Sequence, residues 1–213
     1  MHDDAISPQQ RRALLALAPV KSHGFYLAGG SALCLRLAHR TSIDLDLFRF
    51  ETFDAEQLLR ELRSDGVPLS NARSERGTLW FDVDGVEASF MSYPYSALEA
   101  PEEALGLPVA SLSDIAAMKI EAVASRGARK DFVDLYFICK SGGLGLVGAL
   151  DAFQRRFSSA APDVLHRVKA LTYFDDAERE PELLMIKPVE WRDVRRYFEQ
   201  EVRGWWRHAG APR

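Results

Sequence analysis

The chain has 213 residues, 47% hydrophobic and 27% charged, with a formal net charge of −4, a composition that excludes disordered and collagen-like chains. No apolar run approaches the ~20 residues of a spanning helix, no signal-peptide pattern opens the chain, and the net charge argues against indiscriminate nucleic-acid binding. Cys34 and Cys139 are too few for a disulfide framework and lack metal-type spacing, so the expected setting is a reduced cytoplasm.

Residues 1 to 20 read as a short helix, with Pro8 in its first turn and Pro19 stopping it. Phe25 to Ala28 is a strand-like apolar run ended by Gly29 and Gly30, and Ser31 is the expected N-cap of a helix reaching Ala38. From Ile43 the pattern alternates, with Ile43, Leu45 and Leu47 on one face and Asp44 and Asp46 on the other. Residues 54 to 64 read as a helix. Thr78 to Asp84 and Val86 to Met91, joined at Asp84-Gly85, read as a hairpin whose turn tolerates positive φ. After Pro101 and Pro108 the pattern becomes helical: 113 to 126, 129 to 140, 145 to 157, 162 to 170 and 190 to 207. The expected class is α+β, with a mixed lobe over residues 1–110 and a helical lobe over 111–213. The first holds ten Lys and Arg against sixteen Asp and Glu, the second seventeen against fifteen, so the lobes are electrostatically unlike.

Chemistry concentrates where Gly29-Gly30-Ser31 is followed, after twelve intervening residues, by Asp44-Leu45-Asp46. Paired glycines admit close backbone approach, and a helix starting there aims N–H groups at an anion, a suitable cradle for a triphosphate. Asp44 and Asp46, at i and i+2 on a strand, project from one face with Cα atoms ~6.7 Å apart, a spacing suited to one or two Mg²⁺ ions. Either half alone also has a plain reading, as a tight turn or as the solvent face of a strand; the combination in this order is the signal. His39-Arg40, just before the strand, reads either as a γ-phosphate contact or as surface. Lys119 and Arg126 lie nearly on one helical face, with Lys130 a turn further, and the basic stripe suits phosphate oxygens. Asp131 and Asp134 share a face among apolar neighbours; an ordinary Lys130–Asp134 ion pair is the competing reading. Trp191, Trp205 and Trp206, interleaved with Arg192, Arg195, Arg196, Arg203 and Arg207, form either an RNA-binding face or part of the core.

The segment YLAGGSALCLRLAHRTSIDLDLF resembles the first motif of the DNA polymerase β-like nucleotidyltransferase superfamily. More narrowly it resembles the AbiEii/AbiGii-type nucleotidyltransferases, toxin components of type IV toxin–antitoxin systems. SLSDIAAMKIEAVASRGARKDFVDLYFI resembles that family's carboxy-terminal signature, and LTYFDDAEREP is a weaker match; the resemblance spans roughly residues 20 to 200. It implies a polymerase β-like core, a small mixed sheet flanked by helices, with the helical lobe completing the active-site cleft. It implies an Mg²⁺-dependent transfer of a nucleotide from an NTP to an acceptor hydroxyl, tRNA being a candidate acceptor, and a cognate antitoxin encoded nearby. Gly29, Gly30, Ser31, Arg40, Lys119, Arg126 and Lys130 would bind nucleotide, Asp44 and Asp46 would hold metal, and Asp131 would act beside the attacking hydroxyl. The superfamily's third carboxylate has no obvious counterpart: Ser89 stands in its expected place, and Glu87, on the same face, is the candidate substitute ligand. That departure leaves two alternatives open, nucleotidylation of a protein or small molecule, and a catalytically lapsed module that binds nucleotide, RNA or a partner.

Overall fold

Helix starts and tight turns in the amino-terminal half follow the side chains that can cap or permit them. The computed structural model describes residues 1–75 and 77–209, and its contacts group them into two units, Met1–Ser111 and Leu112–Arg213. In the first unit Ser7 and Gln10 form a reciprocal capping box at the start of α1 (Pro8–Ala16), with Pro8 at its first position. A 3-10 turn at Asp3–Ala5 precedes α1 and Pro19 lies in another at Ala18–His23, so the helix expected over residues 1 to 20 is divided into three pieces. There follow β1 (Tyr26–Ala28), α2 (Gly29–Leu37), β2 (Leu45–Arg49) and α3 (Ala55–Ser64), the last capped by Asp54. Then come β3 (Leu69–Glu75), β4 (Thr78–Val83), β5 (Val86–Ser92), β6 (Glu102–Ala104) and β7 (Leu107–Val109).

These strands form one mixed sheet in the order β3-β4-β5-β2-β1-β7-β6. β2 lies inside it, antiparallel to β1 and parallel to β5. The expected hairpin is β4–β5, turning at Asp84 (φ 52°) and Gly85 (φ 74°), the positive-φ pair of a two-residue turn. Leu27, Leu45, Leu47, Leu79, Phe81, Ala88 and Phe90 share one face and are all buried; Phe90 stacks on Phe81 and meets Phe25 edge-on. Each such leucine or phenylalanine contributes roughly 1.5–3 kcal/mol by leaving water. The opposite face carries Tyr26, Asp46, Phe48, Trp80 and Ser89.

The second unit is helical: α4 (Leu112–Arg126), α5 (Arg129–Lys140), α6 (Gly145–Arg156), α7 (Val164–Ala170), α8 (Asp175–Arg179) and α9 (Trp191–Ala209). Gly127, at φ 59°, ends α4, so Lys130 sits on a new helix rather than a turn further along the same one. Phe132, Phe174, Trp191 and Phe198 form an aromatic cluster, with Phe132 5.2 Å from Phe174 and 5.9 Å from Trp191. Trp191 is therefore a half-buried member of this packing. Asp114 and Arg156, both buried, make an ion pair between α4 and α6. No single helix among the described residues is long and apolar enough to cross a membrane.

Candidate functional site

The first cluster is built where β1 runs into α2. Ala28, not Ser31, is the N-cap, and Gly29 opens the helix at φ 66°. The chain turns so tightly there that a Cβ on Gly29 would lie 2.5 Å from Asp46 Oδ2 and 3.1 Å from its Cβ, so any side chain would displace Asp46. A Cβ on Gly30 would meet Ser42 Oγ at 2.6 Å and Arg40 Nη2 at 2.9 Å. Arg40 is buried and donates from Nη1 to the Thr41 carbonyl, so its guanidinium is a fixed charge beside the glycine turn. Ser31, placed by sequence at the cap, lies inside the first turn. It is fully buried, and its hydroxyl donates to the Asp44 carbonyl at 2.5 Å. That bond ties α2 to the residue preceding β2.

Asp46 sits on β2 opposite Ala28 of β1 and Ser89 of β5. Ser89 Oγ donates to Asp46 Oδ1 at 2.7 Å, leaving Oδ2 on the side of Gly29 and the start of α2. The positive end of the α2 dipole favours a negative charge there. Asp44 precedes the strand rather than belonging to it and is exposed, as is Ile43, which the alternation had assigned to the buried face. Glu87 does not join the pair: Arg73 Nη2 donates to its Oε2 at 3.0 Å. Among the described residues no group of three or more His, Cys, Asp or Glu side chains is placed to hold a metal ion. Ser89, on β5 opposite Asp46, is a hydrogen-bond donor to one member of the pair.

Gly29→Ala tests this turn. The added methyl meets Asp46 Oδ2 and an L-residue is forced to positive φ, which alone costs about 1–2 kcal/mol. The expected outcome is a folded protein, by circular dichroism, with a lowered unfolding temperature.

The second cluster lies on α4 and α5. Lys119 Nζ is 2.8 Å from Asp131 Oδ1 and 2.6 Å from Asp134 Oδ2. Arg126 donates to both oxygens of Asp131, from Nε at 2.6 Å and Nη2 at 2.9 Å. Both carboxylates are fully buried and Lys119 is 6% exposed. Burial opposes the charge on Lys119, but Asp134 and Asp131 outweigh it and hold its pKa above the ordinary lysine value. Burial likewise opposes ionisation of Asp131, and Lys119 and Arg126 outweigh it, holding that carboxyl below its ordinary range.

The ammonium of Lys119, which the resemblance implies contacts nucleotide, is enclosed by two carboxylates. Asp134, which the competing reading paired with Lys130, is bound by Lys119. Arg126, with its side chain 54% exposed, and half-buried Lys130 are the cations of this cluster that reach solvent. Sequence periodicity assigned the stripe but not the burial, because the break at Gly127 swings α5 back so that Asp131 and Asp134 approach Lys119.

The fold has counterparts among known structures. The chain is 36% identical over 206 residues to an uncharacterized protein of Aquifex aeolicus (strain VF5), covering 93% of this chain and 96% of that one. Among solved structures it is similar to JHP933 from Helicobacter pylori, at 17% identity and a TM-score of 0.55 over 95% of this chain and 94% of that one. It is similar also to MenT4, the nucleotidyltransferase toxin Rv2826c of Mycobacterium tuberculosis H37Rv, at 16% identity and TM-score 0.55, covering 91% and 81%. At such identities the likeness is one of fold: the α+β reading, a nucleotidyltransferase sheet-and-helix core followed by a helical region, holds. The family model itself matches from within β4 to near the end of α9, leaving the glycine turn, Asp44 and Asp46 outside the matched span. Residues 81–208, more than half of the chain, match the nucleotidyl transferase AbiEii toxin of type IV toxin–antitoxin systems, and the chain belongs to this family of nucleotidyltransferases.

Proposed function

We propose that the protein transfers a nucleotide from an NTP to an acceptor hydroxyl, tRNA or another RNA being the favoured acceptor, and acts as a toxin answered by a cognate antitoxin in the cytoplasm. The observation that carries this reading is the orientation of Asp46: one oxygen is held by Ser89, the other faces the glycine turn at the start of α2. A phosphate-binding turn and a carboxylate directed toward it belong to one reaction centre.

The donor set fits magnesium, since Asp44 and Asp46 offer hard carboxylate oxygens without sulfur or imidazole. Two protein carboxylates are few, so the substrate's own phosphate oxygens would complete the shell. When bound, the ion draws charge from the phosphate oxygens and makes the attacked phosphorus more electrophilic. The remaining work belongs to the chain. Gly29 and Gly30 let the side chains of Asp46, Ser42 and Arg40 lie directly against the backbone of the turn, Ser31 holds the turn to the Asp44 segment, and buried Arg40 adds a fixed positive charge beside it. Ser89 fixes the rotamer of Asp46. In the helical unit, Lys119 orders Asp131 and Asp134, and Arg126 and Lys130 present cations suited to phosphate oxygens. Asp131, with both oxygens occupied by Lys119 and Arg126, acts as the anchor that aims Arg126.

Incubation with each α-labelled NTP, Mg²⁺ and either RNA or cell protein tests the reading. Label is expected in RNA. Label recovered only in protein overturns the RNA acceptor, and no label in any acceptor overturns the transferase reading for this chain.

A further inference from the structure

The tryptophan- and arginine-rich carboxy-terminal helix is resolved by the structure into two faces with different roles. Val194, Phe198 and Val202 are buried, Trp191 joins the aromatic cluster, and Arg195 is held by Glu178 while lying 5.2 Å over Phe174. Those residues are core or its edge. Arg192, Arg196, Arg203 and Arg207 are all exposed. At 3.6 residues per turn they fall within about 60° of one another around the α9 axis, nearly opposite the buried side, and extend ~22 Å along it. Trp206 flanks them at 41% exposure.

We propose that this arginine face of α9 docks a polynucleotide strand, holding the acceptor by its phosphodiester backbone. Charge complementarity carries the choice of occupant. The helix has five arginines against three carboxylates, Asp193, Glu199 and Glu201, within the half of the chain that carries the positive surplus. The intrahelical contacts do not neutralise the stripe: Arg196 is 3.3 Å from Asp193, and Arg203 is 3.9 Å from Glu199, itself also 3.9 Å from Arg195. Exposed pairs of that kind are weak and yield to a better-matched anion. Guanidinium forks match phosphate oxygens, and a half-exposed indole at the border offers a stacking surface to an unpaired base. Side chains spread over ~22 Å suit a chain of phosphates rather than a single nucleotide. This surface belongs to the second unit and the glycine turn and Asp46 to the first, and its substrate role rests on the proposed transfer to RNA.

Binding of a fluorescent single-stranded RNA to the full chain, measured from 50 to 200 mM salt, tests the docking. Each phosphate contact contributes about 0.7 to the slope of log K against log salt, so four contacts weaken binding by about 50-fold over that range. The variant R192Q/R196Q/R203Q/R207Q is expected to lose most of that slope and at least tenfold in affinity. Its unfolding temperature and its transfer of label to a dinucleotide should not change. Comparable binding of single-stranded DNA supports docking through the shared phosphodiester backbone. A slope unaltered in the variant overturns the proposal, as does polyglutamate binding as tightly as RNA through the same arginines, which would assign the face to an acidic protein. Failure of the transferase reading is separately visible, as wild-type protein that labels neither dinucleotide nor RNA whatever its affinity.

Discussion

Asp46→Asn is expected to reduce nucleotidyl transfer by about 10³-fold or more, a loss of about 4 kcal/mol of transition-state stabilisation, while leaving the fold intact. The substitution is nearly isosteric. An asparagine carbonyl still accepts the Ser89 hydroxyl, so β2 keeps its link to β5, and only the charge facing Gly29 is lost. Transfer of label from NTP to RNA and thermal unfolding by circular dichroism, measured on the same preparation, separate the two effects. Retained activity would mean that Asp46 does not organise the phosphates. Retained toxicity without transfer would instead support a module acting by binding alone, the reading that Ser89 in the third carboxylate's place keeps open.

Lys119→Met should be the most destabilising single change in the helical unit, by about 3–5 kcal/mol, because it leaves Asp131 and Asp134 buried with one cation fewer. Chemical denaturation at neutral pH measures it. The pH dependence has a sign fixed by the pair. Asp131 is held below its ordinary value of 3.8, so its contribution is full above that pH and is lost as acid approaches the lowered value. Lys119 is held above its ordinary 10.5, so its contribution is full below that pH and is lost as alkali approaches the raised value. Wild-type stability from this network should therefore be flat through neutrality and fall at both extremes. The Lys119→Met protein should respond differently, regaining part of its lost stability on mild acidification as the buried Asp131 carboxyl, left with Arg126 alone, takes up a proton more readily.

Legibility varied with how local the determining physics was. The positive-φ turn at Asp84-Gly85 and helices α4 to α7 and α9 depend on neighbours within a few residues and could be read directly, whereas the capping box at Ser7 and the one-turn α8 went unread. Ser31 was misread because a serine after paired glycines fits a cap; its hydroxyl instead bonds a carbonyl 13 residues away. The alternation beginning at Ile43 marked a strand, but β2 starts at Leu45. β3, β6 and β7 went unread: β3 is exposed along most of its length and has no alternation, and the other two are three residues each, with Pro101 just before β6 and Pro108 within β7. In the helical unit, spacing identified Lys119, Arg126, Asp131 and Asp134 as a group. It could not say which partner each would take, since that depends on how α5 returns after Gly127. Glu87 shared a face with Ser89 as expected, yet Arg73 from β3 claimed its carboxylate, a strand absent from the sequence reading.

The placement of Asp46 inside the sheet has a consequence for synthesis. Its carboxylate is positioned on one side by a glycine already translated and on the other by Ser89, 43 residues further along the chain. Because β5 pairs with β2 only after β3 and β4 have been made, a nascent polypeptide that has emerged as far as β4 holds both aspartates but lacks the clamp that orients one of them. Whatever chemistry Asp46 performs, messages interrupted upstream of Ser89 encode fragments without that geometry. A cell translating a broken copy would accumulate an inert product instead of a partially active one.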